Sequence, residues 1–167
     1  RNTRPDDDAR RADEAETDAG VYSIPVMTAA QETYMQLAVD TARQGMEEGK
    51  GGPFGCVIVK DGKVIAAAHN EVIASKDPTA HAEVVAIRKA CAALNDFQLT
   101  GCELYTSCEP CPMCLGAIYW ARPSVVYYAA GKQHAAAAGF DDSFIYEEIE
   151  KAPLSRKIRF EQLPFGD

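Results

Sequence analysis

The sequence has no apolar run long enough to span a membrane and no excess of positive charge. A spanning helix needs roughly 20 consecutive apolar residues, and no stretch of the 167 residues approaches this length. Lysine and arginine total 17 against 25 aspartates and glutamates, which gives a net charge of −8. This balance disfavours nucleic acid as a partner, because proteins that bind it usually present a basic face. It favours a small-molecule substrate.

The first residues also have no large apolar side chains. Residues 1–20 carry four arginines and seven acidic residues, a composition that cannot bury a core and that has no signal-peptide stretch. We therefore expect a cytoplasmic protein with a flexible charged tail over residues 1–25. Hydrophobic residues make up 47% of the chain, enough for a single folded domain over residues 26–167.

Local patterns in the remaining sequence predict an α/β fold. Thr28 and Gln31 form a capping-box pattern ahead of helically spaced apolar residues. Asp61-Gly62 separates two apolar runs and indicates a hairpin. The alternation that follows predicts helices on both faces of a mixed sheet. We expect strands at 55–59, 63–69, 102–106, 124–130 and 157–162, and helices at 79–93, 111–120 and after the fourth strand.

The six cysteines are unevenly distributed. In a reducing compartment, clustered thiols more often bind metal or catalyse, whereas isolated thiols are buried as small apolar side chains. Cys56, Cys91 and Cys102 belong to the isolated group. His69 and His134 are expected to be structural.

Two short motifs carry the predicted chemistry. One is His81-Ala82-Glu83 and the other is Pro110-Cys111-Pro112-Met113-Cys114. Alone, the first suits a hydrogen-bonded histidine beside a solvated charge, and the second suits a redox pair or half of a structural zinc site. Together and in this order they form the signature of zinc-dependent nucleobase deaminases.

The ligand chemistry agrees with that signature. His81, Cys111 and Cys114 offer one nitrogen and two thiolates, which leaves a tetrahedral zinc with one open position. Cys111 and Cys114 share one helix face, at a helix start that lowers the pKa of a thiol. Pro112 suits the first turn of that helix. Glu83 lies only two residues after His81, so the pair must straddle a helix start, with Glu83 acting as general acid and base.

The expected reaction is a hydrolytic deamination. Zinc lowers the pKa of a bound water from ~15.7 toward ~7, and the resulting hydroxide attacks the carbon that bears the amino group. Glu83 takes the proton of the water and passes protons to a ring nitrogen and to the leaving amine. The alternative is a closed structural zinc site, for which Cys108 is the candidate fourth ligand.

Beyond these motifs, the chain resembles the bacterial guanine deaminases of the cytidine-deaminase superfamily over about residues 28–150. The zinc motifs are common to the superfamily, whereas Trp120 and the FDDSFIY segment are more particular to the guanine branch. The matching stretches are 51–55, 69–70, 77–83, 106–120 (TSCEPCPMCLGAIYW) and 139–146 (GFDDSFIY).

This resemblance implies a three-layer αβα sandwich with a five-stranded mixed sheet, and a homodimer that exchanges C-terminal segments. It implies deamination of free guanine to xanthine and ammonia, with Zn²⁺ as cofactor. It also implies that Asn70 hydrogen-bonds the base, that Phe54 and Trp120 pack on it, and that Asp142 contacts its polar edge. Family members continue into a helix that closes the partner's site, whereas this sequence ends at Phe165-Gly166-Asp167.

Each of these residues also has a structural interpretation. Phe54 and Trp120 suit a core, Asn70 suits a turn, and Asp142 with Asp141 suits a helix N-cap pair. The competing activities are those of a tRNA adenosine deaminase and of a cytosine or guanosine deaminase. A zinc-stabilised binding module is the non-enzymatic alternative.

Overall fold

The computed structural model of the protein describes residues 25–166. The charged tail predicted over residues 1–25 therefore lies almost entirely outside the described part of the chain. Among the described helices, none combines the length and hydropathy of a membrane-spanning segment.

The elements are, in order, α1 (Ala29–Glu47), β1 (Gly55–Lys60), β2 (Lys63–His69), α2 (Val72–Ser75), α3 (Ala82–Leu94), β3 (Cys102–Cys108), α4 (Pro112–Ala121), β4 (Val125–Ala130), α5 (Lys132–Ala137), α6 (Ser143–Glu150) and a 3₁₀ turn (Pro153–Ser155).

The sheet is mixed, as the sequence predicts. Its strand order is β2-β1-β3-β4. β1 runs antiparallel to both β2 and β3, while β3 and β4 are parallel and are joined through α4. The hairpin turns at Asp61-Gly62, where both residues have positive φ values of 50° and 73°, which favours a glycine at the second position.

Helices cover both faces of the sheet. Along β1, Val57 and Val59 pack with Ala38 of α1 on one face. Their neighbours Cys56 and Ile58 pack on the other face, with buried residues of α3 and α4. Because successive side chains of a strand point to opposite faces, a strand that is buried throughout requires cover on both sides.

The capping box of α1 is present and sets the start of that helix. The backbone N–H of Gln31 donates to Oγ1 of Thr28 at 3.1 Å, and the N–H of Thr28 donates to Oε1 of Gln31 at 2.9 Å. The buried face of α1 consists of small residues, and a Cβ on Gly55 would lie 2.1 Å from the carbonyl oxygen of Ala38. A glycine there lets α1 pack closely on β1.

The expected fifth strand is wrong for the described chain, in which the sheet has four strands. Residues 157–162 alternate in polarity, but they pair with no strand edge. The segment is instead tied to α6: Nε of Arg156 donates to the carbonyl oxygen of Glu148 at 3.0 Å, and the N–H of Lys157 donates to its carboxylate at 2.7 Å. Ile158 and Phe160 remain exposed. Alternation alone does not make a strand, because a strand also needs a partner for its backbone groups.

Candidate metal centre and active site

Two helix starts bring the predicted ligands together. His81 is the N-cap residue of α3, and Cys111 is the N-cap residue of α4, both with extended backbone. Pro112 occupies the first turn of α4, where its missing N–H leaves no hydrogen bond unmade. Cys114 follows in the same turn and is fully buried. Glu83 lies in the first turn of α3, so His81 and Glu83 straddle the helix start as predicted.

The donor atoms have the spacing of a tetrahedral zinc site. Sγ of Cys111 and Sγ of Cys114 each lie 3.5 Å from Nδ1 of His81. Zn–S bonds of ~2.3 Å and Zn–N bonds of ~2.0–2.1 Å at tetrahedral angles place sulfur and nitrogen ~3.5 Å apart. The three ligand atoms lie within 4.8 Å of one another. In the described chain Cys108 is not part of this cluster, so the geometry does not support a fourth protein ligand.

The electrostatics of the cluster couple its two thiols to each other and to His81. The hydrogen bond from Cys114 is the largest of the effects that lower the pKa of Cys111, to about 4. The same hydrogen bond, followed by burial and the nearby carboxylate of Glu83, raises the pKa of Cys114. Metal binding would require both groups as thiolates and would release their protons. The hydrogen bond to Cys111 also raises the pKa of His81.

Glu83 lies beside the cluster without belonging to it. Its side chain is only 5% exposed. Oε1 accepts a hydrogen bond of 2.8 Å from the hydroxyl of Thr106, and Oε2 accepts one of 3.3 Å from the thiol of Cys114. The carboxylate is therefore held with one oxygen against the sheet and the other against the ligands. This is a suitable position for a group that moves protons at the metal.

The cluster opens into a cavity of about 580 Å³, within the ~300–1,000 Å³ range of small-molecule sites. His81, Glu83 and Cys111 line its floor. Three of the four residues expected to contact a base also line it, namely Phe54, Asn70 and Asp142.

Asn70 lines this cavity and is nearly buried. Its Oδ1 accepts a hydrogen bond of 3.0 Å from the backbone N–H of Val72, so the amide nitrogen is the group left for a ligand. A Cβ on Gly51 would lie 2.0 Å from the same oxygen, so only glycine allows the two segments to approach this closely. Asn70 therefore closes a turn and also lines the site, which combines both sequence-based interpretations.

Phe54 and Asp142 form another part of the wall. The ring of Phe54 meets Phe140 edge to face, with centroids 5.0 Å apart and planes at 86°. Partial burial, together with the nearby Cys111 and Asp141, raises the pKa of Asp142. Asp142 stands at the N-cap position of α6 but makes no side-chain capping bond. The N–H of Ser143 donates instead to Asp141, which leaves the carboxylate of Asp142 available to a ligand.

Trp120 does not join the site within one chain. It lies near the end of α4, is 80% exposed and is not a lining residue of the cavity. In a single chain, Trp120 therefore neither packs in the core nor stacks in the cavity, which were the two positions expected from the sequence. The aromatic neighbours that the structure brings to the cavity are Phe140 and Phe144.

Thr106, whose hydroxyl donates to Glu83, was not identified from the sequence. A signal was present in β3, where Cys102, Leu104 and Cys108 alternate as buried apolar residues and Thr106 occupies the same row. A buried hydroxyl in an apolar row requires a partner. Its partner was not identifiable from the sequence, because residues 83 and 106 meet only in the folded chain.

Comparison with known proteins places this geometry in a family. A family model described as the cytidine and deoxycytidylate deaminase zinc-binding region matches residues 28–130, more than half of the chain. The chain belongs to this deaminase family. Zinc is accordingly the cofactor, and the His/Cys/Cys cluster has the ligand types and spacing to hold it.

Relatives within the family carry two different names. The chain is 63% identical, over 132 residues, to a guanine deaminase of Bacillus subtilis, a match that covers 79% of this chain and 85% of that protein. It is 37% identical, over 138 residues, to a tRNA-specific adenosine deaminase of Aquifex aeolicus, covering 82% and 87%. A crystal structure of guanine deaminase from Bacillus subtilis has a TM-score of 0.80 at 60% identity, covering 83% of this chain and 87% of that one. The fold is therefore that of the cytidine deaminases.

Proposed function

We propose that this protein hydrolyses free guanine to xanthine and ammonia. The observation that carries the proposal is the 63% identity to a guanine deaminase over most of both chains. The tRNA-specific relative matches at 37%, and the net charge of −8 is unfavourable for binding an RNA backbone. We also propose a cytoplasmic location, because the cluster requires reduced thiols.

Three residues would hold the metal and a fourth would move protons. When bound by Nδ1 of His81 and the thiolates of Cys111 and Cys114, zinc supplies a Lewis acid that makes water nucleophilic near neutral pH. Glu83 takes a proton from the attacking water and delivers protons to a ring nitrogen and to the departing amine. The carbon–oxygen bond forms first, at the carbon that bears the amino group, and the carbon–nitrogen bond then breaks as the protonated amine leaves, so guanine and water give xanthine and ammonia.

Recognition of the base would rest on complementary polar groups. The N–H groups of Asn70 suit an acceptor, such as a carbonyl oxygen or an unprotonated ring nitrogen. The carboxylate of Asp142 suits an N–H group on the opposite edge of the base. Guanine carries both kinds of group. A base that leaves either residue unpaired would be rejected strongly, by ~10⁴-fold or more where a buried polar group loses its partner.

Packing on the base would come from Phe54. Its ring is fixed by the edge-to-face contact with Phe140, which makes it a preorganised wall. Because Trp120 is 80% exposed in the single chain, its proposed contact with the base depends on a second chain that reorganises this surface.

We propose that the second chain is another copy of this protein. Two surfaces support a homodimer that exchanges C-terminal segments. Tyr119 and Tyr128 line a second apolar groove beside Trp120. The C-terminal segment after α6 leaves five large apolar side chains exposed, namely Leu154, Ile158, Phe160, Leu163 and Phe165. Exposed apolar surface of this extent is typical of an interface.

The decisive experiment is a substrate panel. The zinc-loaded protein is assayed for ammonia with guanine, adenine, cytosine, guanosine, cytidine and a tRNA substrate under identical conditions. We expect kcat/KM for guanine to exceed every other value by at least ~10³-fold, given the polar discrimination described above. A preference for a nucleoside or for an adenosine in tRNA would refute the assignment of guanine. A loaded protein that releases no ammonia from any substrate would support a binding module instead.

A further inference from the structure

Thr106 is a fully buried polar residue beside Glu83. Its side chain is 0% exposed, in the middle of β3. Its hydroxyl lies 2.8 Å from Oε1 of Glu83 and 3.1 Å from the carbonyl oxygen of Cys108. A hydroxyl has one hydrogen to donate, and the shorter of the two contacts is the one to Glu83.

The strand register fixes where this hydroxyl points. Thr106 pairs with Cys56 on β1 and with Tyr128 on β4, so backbone bonds on both sides restrain it. Its neighbour Ser107 points to the opposite face, where its hydroxyl accepts a hydrogen bond of 3.0 Å from the N–H of Gly55. Threonine is also β-branched, which limits its χ1 freedom. The donor at Oε1 is therefore preorganised by the sheet.

A carboxylate on the first turn of a helix has several rotamers of similar energy. The thiol of Cys114, 3.3 Å from Oε2, is a weak donor and becomes a thiolate when it binds metal. In the zinc-bound protein Thr106 is then the neutral donor that holds Glu83 from the side of the sheet. The bond from Thr106 aims Oε2 at the ligand cluster and the cavity.

We propose that Thr106 is a positioning residue, which fixes the carboxylate of Glu83 in the orientation that proton transfer requires. The inference rests on the proposed deaminase function but not on the identity of the base. Displacement of a reacting group by about 1 Å costs on the order of 10²-fold in rate. Loss of the hydroxyl should therefore reduce kcat by about 10–100-fold, while binding of the base, which Thr106 does not contact, stays nearly unchanged.

The test compares Thr106→Val, Thr106→Ser and Ser107→Ala in the zinc-loaded protein, with the best substrate of the panel. Valine keeps the shape and removes the hydroxyl, whereas serine keeps the hydroxyl. We expect T106V to lose about 10–100-fold in kcat with KM and zinc content unchanged. We expect T106S to recover most of the loss. S107A removes a hydroxyl from the same strand and should leave kcat unchanged. If T106V does not fold, Thr106→Ala takes its place.

Crystal structures of the same variants give a readout that does not depend on activity. We expect the Glu83 side chain to occupy more than one conformer, or a turned conformer, in T106V and the parent conformer in T106S. A single unmoved Glu83 in T106V would overturn the proposal, and so would a T106V kcat equal to that of the parent. If the parent releases no ammonia from any base, the deaminase proposal fails, and the position of Glu83 in the crystals still decides whether Thr106 anchors it.

Discussion

Replacement of Glu83 by glutamine removes the proposed proton carrier with little change in shape. The amide keeps an oxygen that accepts the 2.8 Å hydrogen bond from Thr106. Its NH₂ group would face Cys114, where the carboxylate oxygen now lies 3.3 Å from Sγ, and an N–H can donate to that thiolate. We therefore expect E83Q to fold and to retain zinc.

The expected loss is kinetic. An amide cannot accept a proton at neutral pH, and general acid–base catalysis typically contributes ~10²–10⁴-fold. At ~1.36 kcal/mol for each factor of ten, this range corresponds to a barrier about 3–5 kcal/mol higher. Glu83 is proposed to serve at least two proton transfers in the cycle, so we expect a loss in kcat at or above the upper end. KM should change by no more than ~3-fold, because the floor of the cavity keeps its shape.

The assay is ammonia release from guanine, with zinc content measured on the same samples. Glu103→Gln is the matched control, because Glu103 accepts a hydrogen bond of 2.6 Å from Tyr105 and Tyr105 packs on the α1 face of the sheet. E103Q should keep the parent kcat. If E83Q with full zinc turned over within tenfold of the parent rate, the proton carrier would have to be a different group.

Three further predictions concern the metal, the base and the assembly. Cys111→Ser removes a metal ligand and should weaken zinc binding by at least ~100-fold, more than the ~10–100-fold typical of changes to residues that only support the ligands. Competition with a chromophoric chelator measures the affinity, and an affinity equal to that of the parent would show that the cluster does not hold the metal. Asn70→Asp keeps the oxygen that accepts a hydrogen bond from Val72 but removes the N–H donors. We expect kcat/KM for guanine to fall about 5–150-fold, which is equivalent to the ~1–3 kcal/mol of an unmade hydrogen bond, and the zinc content to stay unchanged. An unaltered kcat/KM would exclude this contact. Light scattering should give twice the chain mass, and a fully active monomer would refute the homodimer.

The helix starts that carry the predicted zinc ligands were predictable from the sequence, because helix starts are encoded locally. The two-residue spacing of His81 and Glu83 permits their roles only across a helix start, and α3 begins between them. Pro112 marked the first turn of α4 in the same way. The N-terminal capping box at Thr28 was equally local, and it was confirmed.

Features that depend on contacts between distant segments were predicted less well. The alternation in residues 157–162 suggested a strand. In the described chain this segment pairs with no strand of the sheet and is hydrogen-bonded to α6 instead. The contact of Trp120 with the base stays a prediction, because this side chain is exposed near the end of α4 in the single chain. The partner of Thr106 is 23 residues away in the sequence, so no local pattern pairs them.

The most direct test of the central claim is xanthine formation from guanine before and after zinc is removed and restored. Xanthine and ammonia are quantified together in one reaction, with the metal content of each sample known. We predict equal amounts of both products from the loaded protein, loss of activity in step with loss of zinc, and recovery when about one zinc per chain is returned. Full activity in the stripped protein, or no xanthine from a fully loaded one, would contradict zinc-dependent guanine deamination.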